Sequence, residues 1–182
     1  MCDWEKESQP LCAADGAAGN ADRDEFWMRL AIKEAEKATT HGDIPVGAVV
    51  VKDGVVIASC HNTRERDKNA LRHAEVNAIE EASAKLGGWY LHGCTLYVTL
   101  EPCPMCAGAA IQARIPRIVF GAKDEKGGAC GGVLDLPSYP FCHKTEIKTG
   151  VLAKECAALP KDFFAARRKE GERREKRYEK RV

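Results

Sequence analysis

Two short motifs on separate segments, His73-Ala74-Glu75 and Pro102-Cys103-Pro104-Met105-Cys106, must be brought together by whatever fold this chain adopts. One imidazole and two thiols supply three ligands for zinc, and Glu75 is a carboxylate left over. A structural zinc site closes its tetrahedron with four protein ligands, whereas a catalytic one keeps a position open for water. Residues two apart on a helix face different sides. His73 and Glu75 can therefore serve one centre only if it lies off the N-terminal end of their helix. Cys103 and Cys106 share a face in the first turn of a second helix. Both helix starts must aim at a common point, where unpaired N–H groups and positive dipole ends favour thiolates.

Two readings without an open position compete with this one. A closed zinc knot would recruit a further cysteine such as Cys60 or Cys130, and a redox C-x-x-C pair needs no histidine. Neither explains Glu75. In a hydrolytic site the metal lowers the pKa of its water toward neutrality, and Glu75 takes up the proton. The signature H-x-E…P-C-x-x-C resembles that of zinc nucleobase deaminases, in which the oxygen attacks an amidine-like carbon and ammonia leaves. Backbone N–H groups near Cys103 can steady the charge that develops on oxygen.

At 182 residues the chain has room for one domain with a sizeable core, plus tails. No apolar run approaches the ~18 residues of a membrane-spanning helix. The start, Met1-Cys2-Asp3-Trp4-Glu5-Lys6, lacks a secretory layout. Nine cysteines without such a leader read as reduced thiols in a cytoplasmic protein. The net charge of +1 hides an asymmetry: residues 161–182 carry 10 Lys and Arg against 5 acids, and the remainder 18 against 22. A basic tail suits a polyanion, and a solvated charged helix is the plainer reading.

Residues 1–21 show no hydrophobic period and are predicted to form a disordered extension. Asp22 or Asp24 caps a first helix running to about Thr39. Val46 to Val51 and Val55 to Ser59 are β-branched runs joined by Lys52-Asp53-Gly54, a hairpin signal. A polar loop from His61 to Asn69 precedes a helix from about Arg72 to Leu86. Cys94 to Leu100 is a third strand, and Pro104 opens a helix reaching about Arg114. Arg117 to Gly121 is a fourth strand and Thr145 to Lys148 a short fifth. The last helix starts near Ala153 and is expected to kink or restart at Pro160. This order predicts one α/β domain over residues 22–168, with a mixed sheet, and a basic helical tail over 169–182. Cys60 and Cys94 read as core thiols, and His41, His61 and His92 as ordinary polar residues at turns.

The stretch Thr99-Leu100-Glu101-Pro102-Cys103-Pro104-Met105-Cys106-Ala107-Gly108-Ala109 resembles its counterpart in bacterial tRNA-specific adenosine deaminases, the TadA-like family of the cytidine deaminase-like superfamily. So do Asp43 to Val49, His73-Ala74-Glu75, Val119 to Gly128, and Cys156 to Leu159 with Phe163 and Phe164. The zinc motif is shared by all cytidine deaminase-like enzymes, and the segments after residue 117 are those that point to tRNA. The resemblance implies a homodimer with a three-layer α/β/α sandwich around a mixed five-stranded sheet. It implies one Zn2+ per subunit held by His73, Cys103 and Cys106, with Glu75 as the catalytic proton shuttle. The implied reaction converts adenosine to inosine at the wobble position of a tRNA anticodon: zinc-bound water activated by Glu75 attacks C6, and ammonia leaves. Asn62 matches an asparagine that hydrogen-bonds the flipped base, although Asn is also an ordinary turn residue. Asp124 and Lys126 match contacts to the anticodon-loop backbone, and Phe163, Phe164 and Arg167 an aromatic and basic group near the RNA. Two other readings share part of this pattern. A deaminase of free guanine, cytosine or dCMP would need neither the basic tail nor the segment from Asp124 to Gly128. An RNA-binding subunit with a structural zinc would not need Glu75.

Overall fold

Alternate residues of the strands feed two separate cores, because successive side chains of a strand point to opposite faces. The computed structural model describes the backbone of residues 20–179 and the side chains of residues 21–170. Its elements are α1 (Asn20–Thr39), β1 (Gly47–Lys52), β2 (Val55–His61), a short α2 (Arg64–Asp67), α3 (Ala74–Leu86) and β3 (Cys94–Leu100). They continue with α4 (Pro104–Gln112), β4 (Arg117–Ala122), β5 (Glu146–Thr149) and α5 (Ala153–Glu179). The sheet order is β2-β1-β3-β4-β5, with β1 antiparallel to both neighbours and β3, β4 and β5 mutually parallel.

Ala48, Val50, Leu96, Val98, Ile118 and Phe120 pack on one face against Ala74, Ala78 and Ala82 of α3 and Ala107 and Ala110 of α4. Val49, Val51, Tyr97 and Val119 face the other way, onto Met28 and Ala31 of α1 and Cys156 of α5. The architecture is thus the expected three-layer α/β/α sandwich with a mixed five-stranded sheet. Alanine on the helix faces lets the helices lie close to the strands. The first hairpin closes through Asp53 and Gly54 alone, at φ of 50° and 74°, with Lys52 opposite Val55. Two positive φ values are what this tight turn requires, and an Asp-Gly pair tolerates them.

Several local expectations shift. α1 begins at Asn20, two residues inside the predicted extension, whose residues 1–19 lie outside those described. Asp24 is not a cap. It is 2% exposed and holds the Tyr97 hydroxyl at 2.8 Å, Arg117 at 2.8 and 2.9 Å and Lys148 at 2.6 Å. Tyr97 and Lys148 flank Val119 in one row across the sheet, so this carboxylate ties α1 to three strands at once. β2 extends to His61, which brings that ring inward: Nδ1 lies 3.4 Å from Glu34 Oε2, and Nε2 is buried without a hydrogen-bond partner. α4 stops at Gln112 because Arg114 turns left-handed, at φ 60°, and Pro116 cannot continue a helix. α5 runs through Pro160 as one element. A helical proline forfeits the bond to the carbonyl four residues back and crowds that carbonyl, and buried Val151 and Cys156 hold the preceding turns against β4.

The carboxyl ends of β3 and β4 lie beside the start of β1 and the end of β2: Ala48 faces Val98 and Cys60, and Leu100 faces Ala122. That edge collects the segments that follow or precede each strand, namely Asp43 to Val46, Asn62, Glu101 to Cys103 and Lys123-Asp124. Ligands of open α/β sheets bind at such carboxyl ends.

Candidate metal centre and active site

Each half of the metal motif sits at a helix start. His73 is the residue before α3, extended at φ −75° and ψ 153°, and Cys103 precedes α4 at φ −69° and ψ 171°. Their carbonyls accept the first helical bonds, from Asn77 N–H at 3.0 Å and Ala107 N–H at 2.9 Å. The helix expected from about Arg72 therefore starts at Ala74. Glu75 falls inside its first turn while His73 projects off its end, which is how residues two apart reach one centre.

His73 Nδ1 lies 3.7 Å from Cys103 Sγ and 3.5 Å from Cys106 Sγ, and the sulfurs are 3.6 Å apart. Tetrahedral zinc with N and S ligands has edges of roughly 3.4–3.8 Å, so these three donors fit that ion. Among the described residues no fourth side chain joins the trio. Cys60 is engaged elsewhere, donating to Glu81 at 3.0 Å, and buried Cys130 stands outside the trio. A three-ligand set of this kind is the open, reactive type.

The electrostatics favour the thiolate at Cys103 and disfavour it at Cys106. The hydrogen bond from the Cys106 thiol, opposed by burial and helped by His73, draws the Cys103 thiol down to about 4. Contact with Cys103, followed by burial, pushes Cys106 up, and the Cys103 contact raises His73. Cys103 is thereby held ready as a thiolate ligand. Glu75 is 4% exposed, touches the Cys106 thiol, and is pushed up to about 7 by burial. Replacing Cys103 or Cys106 by serine is expected to weaken zinc binding by more than about 100-fold, since even outer partners of ligands are worth 10- to 100-fold. Metal analysis after dialysis against a chelator reads this, and full occupancy in either variant would remove that cysteine from the ligand set.

Around the trio the loops are tied by hydrogen bonds that local pattern does not reveal. Fully buried Asp43 accepts the Glu65 and Arg66 N–H groups at 2.6 and 3.1 Å and so caps α2. Thr63 N–H bonds to Arg72 O at 3.0 Å, and the Asn77 amide donates to His61 O and Thr63 Oγ1 at 3.0 and 3.2 Å, which closes the segment onto α3. Asn62 sits at this edge, with its amide donating to Ile44 O at 3.1 Å and its Oδ1 accepting from Arg64 N–H at 3.3 Å. It is thus a turn residue in this structure, and each end of its amide retains capacity for one further bond.

Asp124 Oδ1 accepts the N–H groups of Lys126 and Gly127 at 3.0 and 3.1 Å, leaving the Lys126 side chain exposed. On α5, Phe163 is half-buried and Phe164 is 43% exposed, their rings edge-to-face at 5.5 Å, with the Arg167 guanidinium 5.6 Å from the Phe163 ring. Among the described residues no hydrogen bond or ring contact joins this group to the trio. A separate cleft of about 790 Å3 opens at the β2 edge, bordered by Glu34, His61, Arg66, Arg72 and Glu81, and includes none of the trio.

Known proteins resemble this chain in sequence and fold. The profile of the MafB19-like deaminases matches residues 22–168. The tRNA-specific adenosine deaminase of Bacillus subtilis (strain 168) is 49% identical over 148 residues, covering 81% of this chain and 92% of that protein. A solved structure from studies of A-to-I editing by tRNA:A34 deaminases at the wobble position of transfer RNA is 41% identical. It has a TM-score of 0.71 and covers 74% of this chain and 98% of its own. Guanine deaminase from Bacillus subtilis is 40% identical with a TM-score of 0.52, over 54% of this chain and 64% of its own. His73, Cys103 and Cys106 form a group that could hold a metal, and the chain that brings them together belongs to the MafB19-like deaminases, in the family of the tRNA-specific adenosine deaminases.

Proposed function

We propose that this protein deaminates adenosine to inosine at the wobble position of tRNA anticodons, with one Zn2+ per subunit held by His73, Cys103 and Cys106. The observation that carries the reading is Glu75, buried against Cys106 yet outside the ligand trio. When bound, the ion supplies a Lewis acid that makes water a competent nucleophile near neutral pH. Glu75 accepts a proton, delivers it to N1 of the purine, and passes a second proton to the amino group, so adenosine and water become inosine and ammonia. Asn62 hydrogen-bonds the extruded base, Asp124 and Lys126 meet the anticodon-loop backbone, and Phe164 with Arg167 offers a stacking face and a cation.

A homodimer belongs to the same reading, supported by exposed apolar side chains at Leu71, Trp89, Val133, Leu134 and Tyr139. A cytoplasmic setting is supported by the described cysteines, all free thiols. No described helix is long and apolar enough to cross a membrane.

The test is an unmodified anticodon stem-loop with adenosine at its first anticodon position, read as A-to-G after reverse transcription, beside free adenine, guanine and cytidine. Turnover of guanine without turnover of the RNA would favour the free-base reading, to which the likeness to guanine deaminase lends its weight. The tail 169–182 carries 7 Lys and Arg against 4 acids. Removing it is expected to lower the slope of log affinity against log salt by about 2, because each neutralised phosphate releases a counterion. An unchanged slope would assign the tail to solubility.

A further inference from the structure

Glu101 follows the last residue of β3, immediately before the Pro102-Cys103 pair, and is buried at 2% exposure. Among the described residues it has no ion-pair partner. Its charge is met by backbone: Oε2 accepts Asp124 N–H at 3.0 Å, and Oε1 accepts Cys130 N–H at 3.0 Å and Gly132 N–H at 2.7 Å. Ala129 N–H donates to Pro102 O at 2.8 Å, and Gly128 N–H to Asp124 O at 2.9 Å, so the segment 124–132 wraps around this one side chain. A Cβ at Gly128 would stand 2.3 Å from Glu101 Cδ, and one at Gly132 would stand 2.8 Å from Oε2 and 2.6 Å from Asp124 O. Only glycine at these two positions lets the backbone approach so closely.

We propose that Glu101 is a positioning residue that registers the substrate-contacting loop 124–132 against the Cys103 end of the metal centre. Charged hydrogen bonds to three N–H groups are stronger than neutral ones and fix the loop whatever side chains it carries. The loop presents Asp124 and Lys126, while the following residues of the same strand end carry the ligand Cys103. One carboxylate therefore sets the spacing between RNA contact and reaction centre. This inference rests on the deaminase reading above.

Glu101→Gln replaces one acceptor oxygen by an NH2 donor, which must face an N–H donor of the loop. With the anticodon stem-loop as substrate, KM is expected to rise by about tenfold or more, while kcat stays within about threefold. Zinc per chain should be unchanged, and amide exchange at Asp124, Cys130 or Gly132 should quicken. Gly132→Ala strains the same loop from its other side and should give the same KM-only effect, which serves if E101Q yields no folded protein. A fall in kcat at constant KM, loss of zinc, or an unchanged KM in both variants would overturn the proposal. If the wild-type protein leaves the stem-loop unreacted, the deaminase reading fails instead, and amide exchange in E101Q still reports whether this carboxylate holds the loop.

Discussion

Glu75→Gln is expected to lower the rate of inosine formation by about a thousandfold, while zinc remains bound and thermal stability holds. The rate falls because proton transfer by a positioned side chain is worth about 10^2- to 10^4-fold. Zinc stays because the ligands proposed for it are His73, Cys103 and Cys106, and Glu75 lies outside that group of donors. Stability holds because burial already disfavours the charged carboxylate, which it pushes up to about 7. A neutral amide of the same shape avoids that desolvation. Single-turnover kinetics on the stem-loop, metal analysis and a melting curve on one preparation decide the matter. Loss of the metal in this variant would contradict the role assigned to Glu75, and retained turnover would mean that another group moves the protons.

Asp24→Asn should produce the largest loss of stability, about 3 kcal/mol, with little direct effect on the chemistry. Breaking a buried pair by removing one partner typically costs about 3–5 kcal/mol. The lower end applies because the Arg117 and Lys148 side chains keep 23% and 35% of their exposure. Burial works to raise the Asp24 pKa, but hydrogen bonds from Arg117, Lys148 and Tyr97 outweigh it and hold the carboxyl well below its ordinary 3.8. A depressed carboxyl contributes stability above its unfolded pKa and loses it as pH falls toward the folded value. The gap between wild type and D24N in urea unfolding should therefore be full at pH 7 and shrink below about pH 4. A gap of equal size at both pH values would mean that shape, rather than charge, accounts for the loss.

The two residues differ in how they show in the sequence. Glu75 announces itself, because its spacing from His73 and from the Cys103–Cys106 pair makes sense only around an open metal centre. Asp24 carries the same local signature as a helix cap, a small acid ahead of an apolar run. Its partners Tyr97, Arg117 and Lys148 lie on three separate strands, and nothing within a few residues of Asp24 points to them. The same holds for Asp43, which caps a helix that follows only after a hairpin, and for Glu101, whose donors come from a loop beyond the next helix and strand. The inward turn of the His61 ring is equally hidden from local pattern, because Glu34 beside it comes from α1.

By itself the sequence determined the elements, the hairpin turn, the three-layer arrangement and the ligand trio with its spare carboxylate. The elements and the turn follow from side-chain periodicity and turn stereochemistry, which act within a few residues, the trio from the paired motifs, and the three-layer arrangement from the family resemblance. Only the tertiary structure decided which acids are buried and what they hold. The cost of burying a carboxylate is met by donors that the fold, not the neighbouring sequence, delivers.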